Sequence, residues 1–273
     1  MLDIKLAVFD VDGTLVSKNS RILLDSTVHA IQELKKRGVK IAIASGRPYY
    51  AMERSVIDRI NFDYFICSNG SFVYDAINNH EIYKYMLSDS LVMRLSTTNQ
   101  IEDGALVFQF EDAGYIYQGY KRIANMIQDT LGRLDFLVDE RKRKLRHLKS
   151  KPYAAIAWIA DDQLESYRQR FPMFSFTPFA QNYYDVNPRN VNKATGISHI
   201  LLSQEWTMDN VIAFGDELND FEMLSEATYS VAMGNAIETI KEVAHYVTDD
   251  TIDNGIKNAL LHFGLIEEWQ DDE

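Results

Sequence analysis

Near the N-terminus an apolar run, Leu6-Ala7-Val8-Phe9, leads directly into Asp10-Val11-Asp12-Gly13-Thr14. Side chains alternate along a strand, so the first aspartate leaves the strand end toward one side. Gly13 lets the backbone turn just after the second aspartate, which can then fold back toward the same pocket. Two carboxylates a few Å apart repel by about 4 kcal/mol at an effective dielectric of roughly 20. Such a pair requires a cation, a shared proton or a chemical task, and it ties this segment to the end of a strand beside a polar pocket.

The flanking sequence supplies further strands and helices in alternation. Residues 4–9 read as a buried strand. Asp25 is expected to cap a helix whose apolar positions Val28, Ile31 and Leu34 recur at three-residue steps, with Gly38 closing it. Residues 39–44 form a continuous apolar run suited to burial on both sheet faces. Pro48 suits the first turn of another helix, and residues 64–67 read as a third strand. The last third resumes the pattern. Asn192 is expected to cap a helix running through Ile197, Ile200 and Leu201, and residues 211–214 form a strand ending in Gly215-Asp216. Residues 221–224 fall in a helix, residues 229–232 and 244–247 in short strands, and residues 256–263 in a terminal helix. Strands alternating with helices predict an α/β, doubly wound parallel sheet with helices on both faces.

The middle reads differently. Residues 105–110 and 115–120 flank Asp112-Ala113-Gly114, a hairpin signature. Residues 153–159 form a strand, 161–171 a helix, and 174–178 with 183–186 a second strand pair. The expected organisation is therefore a core domain built from residues 1–84 and 186–273, interrupted by an inserted α+β domain at residues 85–185. The acidic tail at 267–273 is expected to fray.

With 273 residues, 46% hydrophobic, the chain can bury a substantial core. A net charge of −12 argues against nucleic acid as a partner, because nothing overall would neutralise a phosphate backbone. Cys67 is the single cysteine, which rules out an internal disulfide and a cysteine metal cluster. The longest apolar run, residues 154–160, is too short to span a bilayer, and the N-terminal sequence lacks the basic-then-apolar pattern of a secretory signal. A cytoplasmic enzyme with no membrane partner is expected; nothing in the sequence sets its oligomeric state.

Four short segments lie at the ends of expected parallel strands or starts of helices: Asp10-Val11-Asp12-Gly13-Thr14, Ser45-Gly46-Arg47, Lys193 in Val191-Asn192-Lys193-Ala194, and Gly215-Asp216-Glu217-Leu218-Asn219-Asp220. Ligands of open α/β sheets bind at the carboxyl ends of the strands, so these distant segments are expected to border one phosphoryl-transfer site. In this order they resemble the haloacid dehalogenase-like superfamily, and with Ser68-Asn69-Gly70 ahead of the middle insert the chain resembles its Cof-type (subfamily IIB) branch over essentially its whole length. The resemblance implies a Rossmann-like core carrying a large cap, a Mg²⁺ cofactor, and a phosphatase acting on a small phosphorylated substrate such as a sugar phosphate or a phosphorylated cofactor.

Roles follow from the resemblance. Asp10 is expected to be the nucleophile that forms an aspartyl-phosphate, and Asp12 the acid and then the base. Asp10, the backbone carbonyl of Asp12, and Asp216 are expected to supply the protein's oxygen ligands to Mg²⁺. Val11, Ser45, Gly46, Arg47, Lys193 and Asn219 are assigned to phosphate or substrate, with Thr14 supporting the loop and Asp220 orienting a metal-bound water or Lys193. Arg47 can equally bridge core and cap, and Asn69 can contact substrate or simply turn the chain beside Gly70. A phosphotransferase or mutase using the same intermediate, and a non-catalytic phosphate-binding module, stand as alternatives.

Other features have plainer readings. The basic run at 141–151 is expected to be a solvated helix face, although it could draw in anionic substrates. Cys67 reads as a small buried core residue, and Met86, Tyr115, Tyr117 and Tyr120 as packing of the insert. The six histidines lack metal-ligand spacing. Neither a Walker loop nor a G-x-G-x-x-G motif is present, which counts against a nucleoside-triphosphate or dinucleotide enzyme.

Overall fold

The structure is a computed structural model describing residues 2–269. In chain order its strands are β1 (Leu6–Phe9), β2 (Lys40–Ala44), β3 (Tyr64–Cys67), β4 (Phe72–Asp75), β5 (His80–Lys84), β6 (Ala105–Gln109), β7 (Gly114–Gln118), β8 (Leu137–Asp139), β9 (Ala154–Trp158), β10 (Phe174–Ala180), β11 (Tyr183–Pro188), β12 (Val211–Gly215), β13 (Tyr229–Ala232) and β14 (Tyr246–Val247). The chain divides into two compact units. One runs up to Ser45, from Glu53 to Ile82, and onward from Asn192; the other joins Gly46–Met52 to Tyr83–Val191.

The first unit is built on an eight-stranded sheet in the order β14-β13-β12-β1-β2-β3-β4-β5. From β14 to β3 every pairing is parallel, and β4 turns back antiparallel on β3. Every residue of β1 is buried, with Phe9 opposite both Phe214 and Ile43. Such complete burial explains why β1 and β2 read as apolar runs without alternation. The helix Asp25–Lys36 buries Val28, Ala30, Ile31 and Leu34, and the helix Lys193–Gln204 buries Ala194, Ile197, Ile200 and Leu201. The expected α/β class is thus observed, with strand positions close to those read from the sequence.

Several local expectations are corrected. Asp25 is the first residue of its helix, not its cap: extended Leu24 holds that position, and no side chain caps the helix. Pro48 precedes a short 3-10 turn at Tyr49–Ala51, and the α-helix begins only at Arg54. The strand expected at 244–247 shrinks to Tyr246–Val247 because the helix Glu238–Val243, unread in the sequence, ends with Ala244 at its C-terminus. Strands β4 and β5, which follow the Ser68-Asn69-Gly70 turn, also went unread. Residues 270–273 of the tail lie outside the described residues, and Glu267–Trp269 are not helical.

The second unit contains a six-stranded sheet in the order β10-β11-β9-β6-β7-β8, antiparallel except for the parallel β7–β8 pair. Alternate residues of β6 feed two cores. Leu106 and Phe108 pack with Val92, Leu95 and Tyr167, while Ala105 and Val107 pack with Ile123 and Ile127. Both sheet faces are therefore covered by helices. Tyr117 is fully buried, edge-on to Phe108 and bonded to His147 Nδ1 at 2.9 Å, as a packing residue should be. Met86 is not: it is 65% exposed. The basic run at 141–151 is helical only at Arg146–Lys149, so it is mostly loop and not a helix face. Among the described residues no helix is long and apolar enough to cross a membrane.

Candidate active site

The turn after β1 is held by its own backbone. The Gly13 N–H donates to Val16 O at 2.7 Å and the Val16 N–H to Val11 O at 2.9 Å. Gly13 has a φ of +99°, and a Cβ there would strike the Asp216 carboxylate, so glycine is needed both for conformation and for space. Thr14 donates its hydroxyl to Asp216 Oδ1 at 3.0 Å. That bond joins the first acidic segment to the second across the β1–β12 pair. Asn235 donates to Gly13 O at 2.8 Å, and Thr251 donates to the same oxygen.

Lys193 stands on the first turn of its helix because Asn192 caps it. The Asn192 side chain accepts the Thr195 N–H at 2.9 Å, and Thr195 Oγ1 accepts the Asn192 N–H at 3.0 Å. This reciprocal cap satisfies backbone donors that the helix start would otherwise leave open. Lys193 Nζ reaches Asp10 Oδ1 and Asp220 Oδ1, each at 2.6 Å, and all three side chains are buried. The second oxygen of Asp220 accepts the Asp216 and Glu217 N–H groups at 2.9 and 3.1 Å. Asp220 therefore shapes the loop that carries Asp216 and at the same time positions the lysine.

Asp10, Asp216 and Asp220 each offer an oxygen lying within 4.8 Å of the others. Burial drives the Asp10 carboxyl well above the ordinary carboxylate range; Lys193 opposes this, and the neighbouring Asp220 and Asp216 add to it. Burial likewise pushes Asp216 up to about 6, against the stabilising pull of Lys18. Burial alone would lower the Lys193 ammonium, but the paired carboxylates of Asp10 and Asp220 more than offset it, so the lysine stays charged. The Asp216 Oδ2 atom is buried and faces the Lys18 ammonium at 2.8 Å. An all-oxygen set of three clustered carboxylates with excess negative charge fits a hard divalent cation such as Mg²⁺.

The remaining expected residues fall as follows. Asp12 is half-buried, and its carboxylate pairs with Arg21 at 3.3 Å without joining the three-carboxylate cluster. The Val11 side chain is buried, so only its main chain can serve a phosphate. Ser45 is buried at the end of β2; its N–H donates to Ile66 O at 2.9 Å, and its carbonyl accepts the Asn69 N–H at 3.0 Å. Asn69 and Ser68 both adopt left-handed φ, 53° and 48°, a strain found at functional sites. Asn219 donates to Asn69 Oδ1 at 3.1 Å, bringing two sequence-distant candidates together. Gly46 and Arg47 are half-buried and group with the second unit.

Lys18 was not anticipated. Its ammonium lies 2.8 Å from Asp216 Oδ2 and also pairs with Glu217. It comes from the irregular segment after the acidic turn, where no periodicity marks a residue as inward-facing. Arg21, from the same segment, pairs with both Asp12 and Glu53.

A model of the haloacid dehalogenase-like hydrolase family matches residues 7–260, a span that encloses every site residue described above. The chain belongs to this family. As a haloacid dehalogenase-like hydrolase it is an enzyme, and its relatives extend over its length. It is 29% identical over 277 residues to the Bacillus subtilis 5-amino-6-(5-phospho-D-ribitylamino)uracil phosphatase YcsE, covering 97% of each chain. Among solved structures, a hypothetical protein of Geobacillus kaustophilus HTA426 is 32% identical with a TM-score of 0.85, covering 96% of this chain and 100% of that one. The HAD subclass IIB sugar phosphatase BT4131 is 27% identical with a TM-score of 0.83, again over 96% and 100%. The Cof-type resemblance agrees with these neighbours.

Proposed function

We propose that this hydrolase is a Mg²⁺-dependent phosphatase of small phosphomonoesters, working through an aspartyl-phosphate on Asp10. The observation that carries the reading is the buried Lys193 bridge between Asp10 and Asp220, with Asp216 alongside. A lysine in that position fixes the Asp10 carboxylate and leaves an ammonium to meet phosphate oxygens. Phosphoryl transfer depends mainly on such positioning and charge neutralisation.

In the first step an Asp10 oxygen forms a bond to phosphorus while the ester P–O bond breaks, and Asp12 gives its proton to the departing alcohol oxygen. In the second, Asp12 takes a proton from water as the water oxygen bonds to phosphorus and the bond to Asp10 breaks, releasing phosphate. Ser45, Gly46, Asn219 and Lys193 bind the phosphate oxygens through both steps. Asp10, the Asp12 carbonyl and Asp216 would hold Mg²⁺, which when bound would neutralise charge on the transferring group. Asp220 keeps Lys193 in register, and Thr14 fixes Asp216. The unit formed by Gly46–Met52 and Tyr83–Val191 is taken as the substrate-selecting cap.

The names of the relatives support the substrate class: one is a sugar phosphatase, another acts on a phosphorylated ribitylamino-uracil. By that analogy the substrate is a phosphorylated sugar, or a cofactor precursor carrying one, in the cytoplasm. The test is phosphate release over a panel of phosphorylated metabolites, with Mg²⁺ and with chelator, for the wild type and Asp10→Asn. Release that needs Mg²⁺ and vanishes in Asp10→Asn is expected. Wild-type rates in Asp10→Asn, or full turnover in excess chelator, would sink the reading.

A further inference from the structure

Two ammonium groups face the acidic cluster, and they are held very differently. Lys193 is fully buried and bound to two carboxylates. Lys18 reaches in from the segment after the acidic turn, with its side chain 41% exposed. Its stem crosses Gly13, where a Cβ would lie 2.7 Å from Lys18 Cε. Its ammonium is set 2.8 Å from Asp216 Oδ2, a buried oxygen of the acidic cluster. The other oxygen of Asp216 is already occupied by the Thr14 hydroxyl at 3.0 Å.

We infer that Lys18 sets the affinity of this site for its divalent cation, acting as an internal counter-ion on Asp216 that the cation must displace. This rests on the metal-site reading given above. Charge supports it: three carboxylates against Lys193 leave two negative charges, the complement of one divalent ion, and Lys18 holds part of that charge in the absence of the ion. Mobility supports it as well. A half-exposed lysine can return its head to water while its stem stays on the surface, whereas the buried Lys193 has no such exit. The segment is anchored independently of Lys18, since the Arg21 N–H donates to Ser17 O at 3.0 Å and the Arg21 side chain pairs with Asp12 and Glu53. Releasing the Lys18 head therefore does not require the segment to unfold.

The test titrates MgCl2 into metal-free protein by calorimetry, comparing the wild type with Lys18→Met, Lys18→Gln and Lys18→Arg, and follows the Mg²⁺-dependent rise in Tm as a second readout. Removing a partly exposed ion pair should lower the Mg²⁺ Kd by about fivefold in Lys18→Met and Lys18→Gln, with a correspondingly larger Tm rise. Lys18→Arg, which keeps the charge, should stay near the wild type. A Kd that is unchanged or weaker in both neutral variants overturns the inference while leaving the metal site intact. If the wild type shows no Mg²⁺ binding at all, the metal-site reading falls and this inference with it. Far-UV circular dichroism checks that each variant is folded before titration.

Discussion

The Asp216 carboxylate occupies the space where any side chain at Gly13 would begin, although the two lie 203 positions apart in the sequence. Gly13 also holds a φ of +99°, so Gly13→Ala meets both backbone strain and collision. The strain alone is of order 1–3 kcal/mol, and the collision has to push Asp216 off its Thr14 bond. We expect Gly13→Ala to lower stability by at least about 2 kcal/mol in urea unfolding and to weaken Mg²⁺ binding. Gly38→Ala is the control: it too has a positive φ, +87°, but nothing lies within 4 Å of an added Cβ. It should lose stability while leaving Mg²⁺ binding unchanged.

Lys193 is the only ammonium within reach of Asp10 among the described ion pairs. Lys193→Met leaves buried carboxylates at Asp10 and Asp220 without their cation. Stranding a buried charge in this way costs about 3–5 kcal/mol. With the lysine gone, the burial that already raises Asp10 goes unopposed, so its carboxyl binds a proton more readily in the folded state than in the unfolded one and the deficit should shrink as pH falls. Urea unfolding of wild type and variant at pH 7.5 and pH 5 checks this; a deficit that widened toward pH 5 would contradict it.

Much of this site could be read from sequence because its parts sit where backbone geometry is tightly constrained. The ends of β1, β2 and β12, and the Asn192 cap that presents Lys193, follow from apolar runs and one capping residue, signals that depend on a few neighbouring residues. Lys18 and Arg21 were not legible, because a loop side chain finds its partner through space and Lys18 is 198 positions from Asp216 in the chain. Local competition explains the other departures. Leu24 took the cap position from Asp25, and the helix Glu238–Val243 lacks a capping side chain. The 141–151 run breaks into turns, with Lys144 at a φ of 51°, so its charge pattern does not lie on one helix face. The Ser45, Asn69 and Asn219 meeting depends on two consecutive left-handed residues, which no propensity scale anticipates.

Asp216 gives the proposed metal site a pH dependence whose direction is fixed. Its pKa stands near 6 when folded against 3.8 as the reference, so the folded metal-free protein binds the extra proton between those values. The contribution of this group to stability is therefore fully present below pH 3.8 and is lost as pH rises through about 6. Mg²⁺ must displace that proton, so its Kd should rise by about tenfold per unit as pH falls below 6 and level off above it. Calorimetry between pH 5 and pH 8 in two buffers of different ionisation enthalpy reads both the slope and the proton released. A Kd flat across pH 5 to 6.5 would rule the mechanism out.

Asp10→Asn separates function from stability. Burial is the largest influence on Asp10 and raises its pKa well above the carboxylate range, so holding it ionised near neutral pH draws on folding free energy. Asparagine has nearly the same shape and no charge, and Lys193 keeps Asp220 at 2.6 Å as its partner. The variant should therefore be at least as stable as the metal-free wild type, with its unfolding midpoint unchanged or higher, while phosphate release disappears. Such opposition is expected where a strained active site is retained for chemistry. A variant that lost both activity and several kcal/mol of stability would show instead that the Asp10–Lys193 pair holds the fold together, and that its charge is not a burden kept for catalysis.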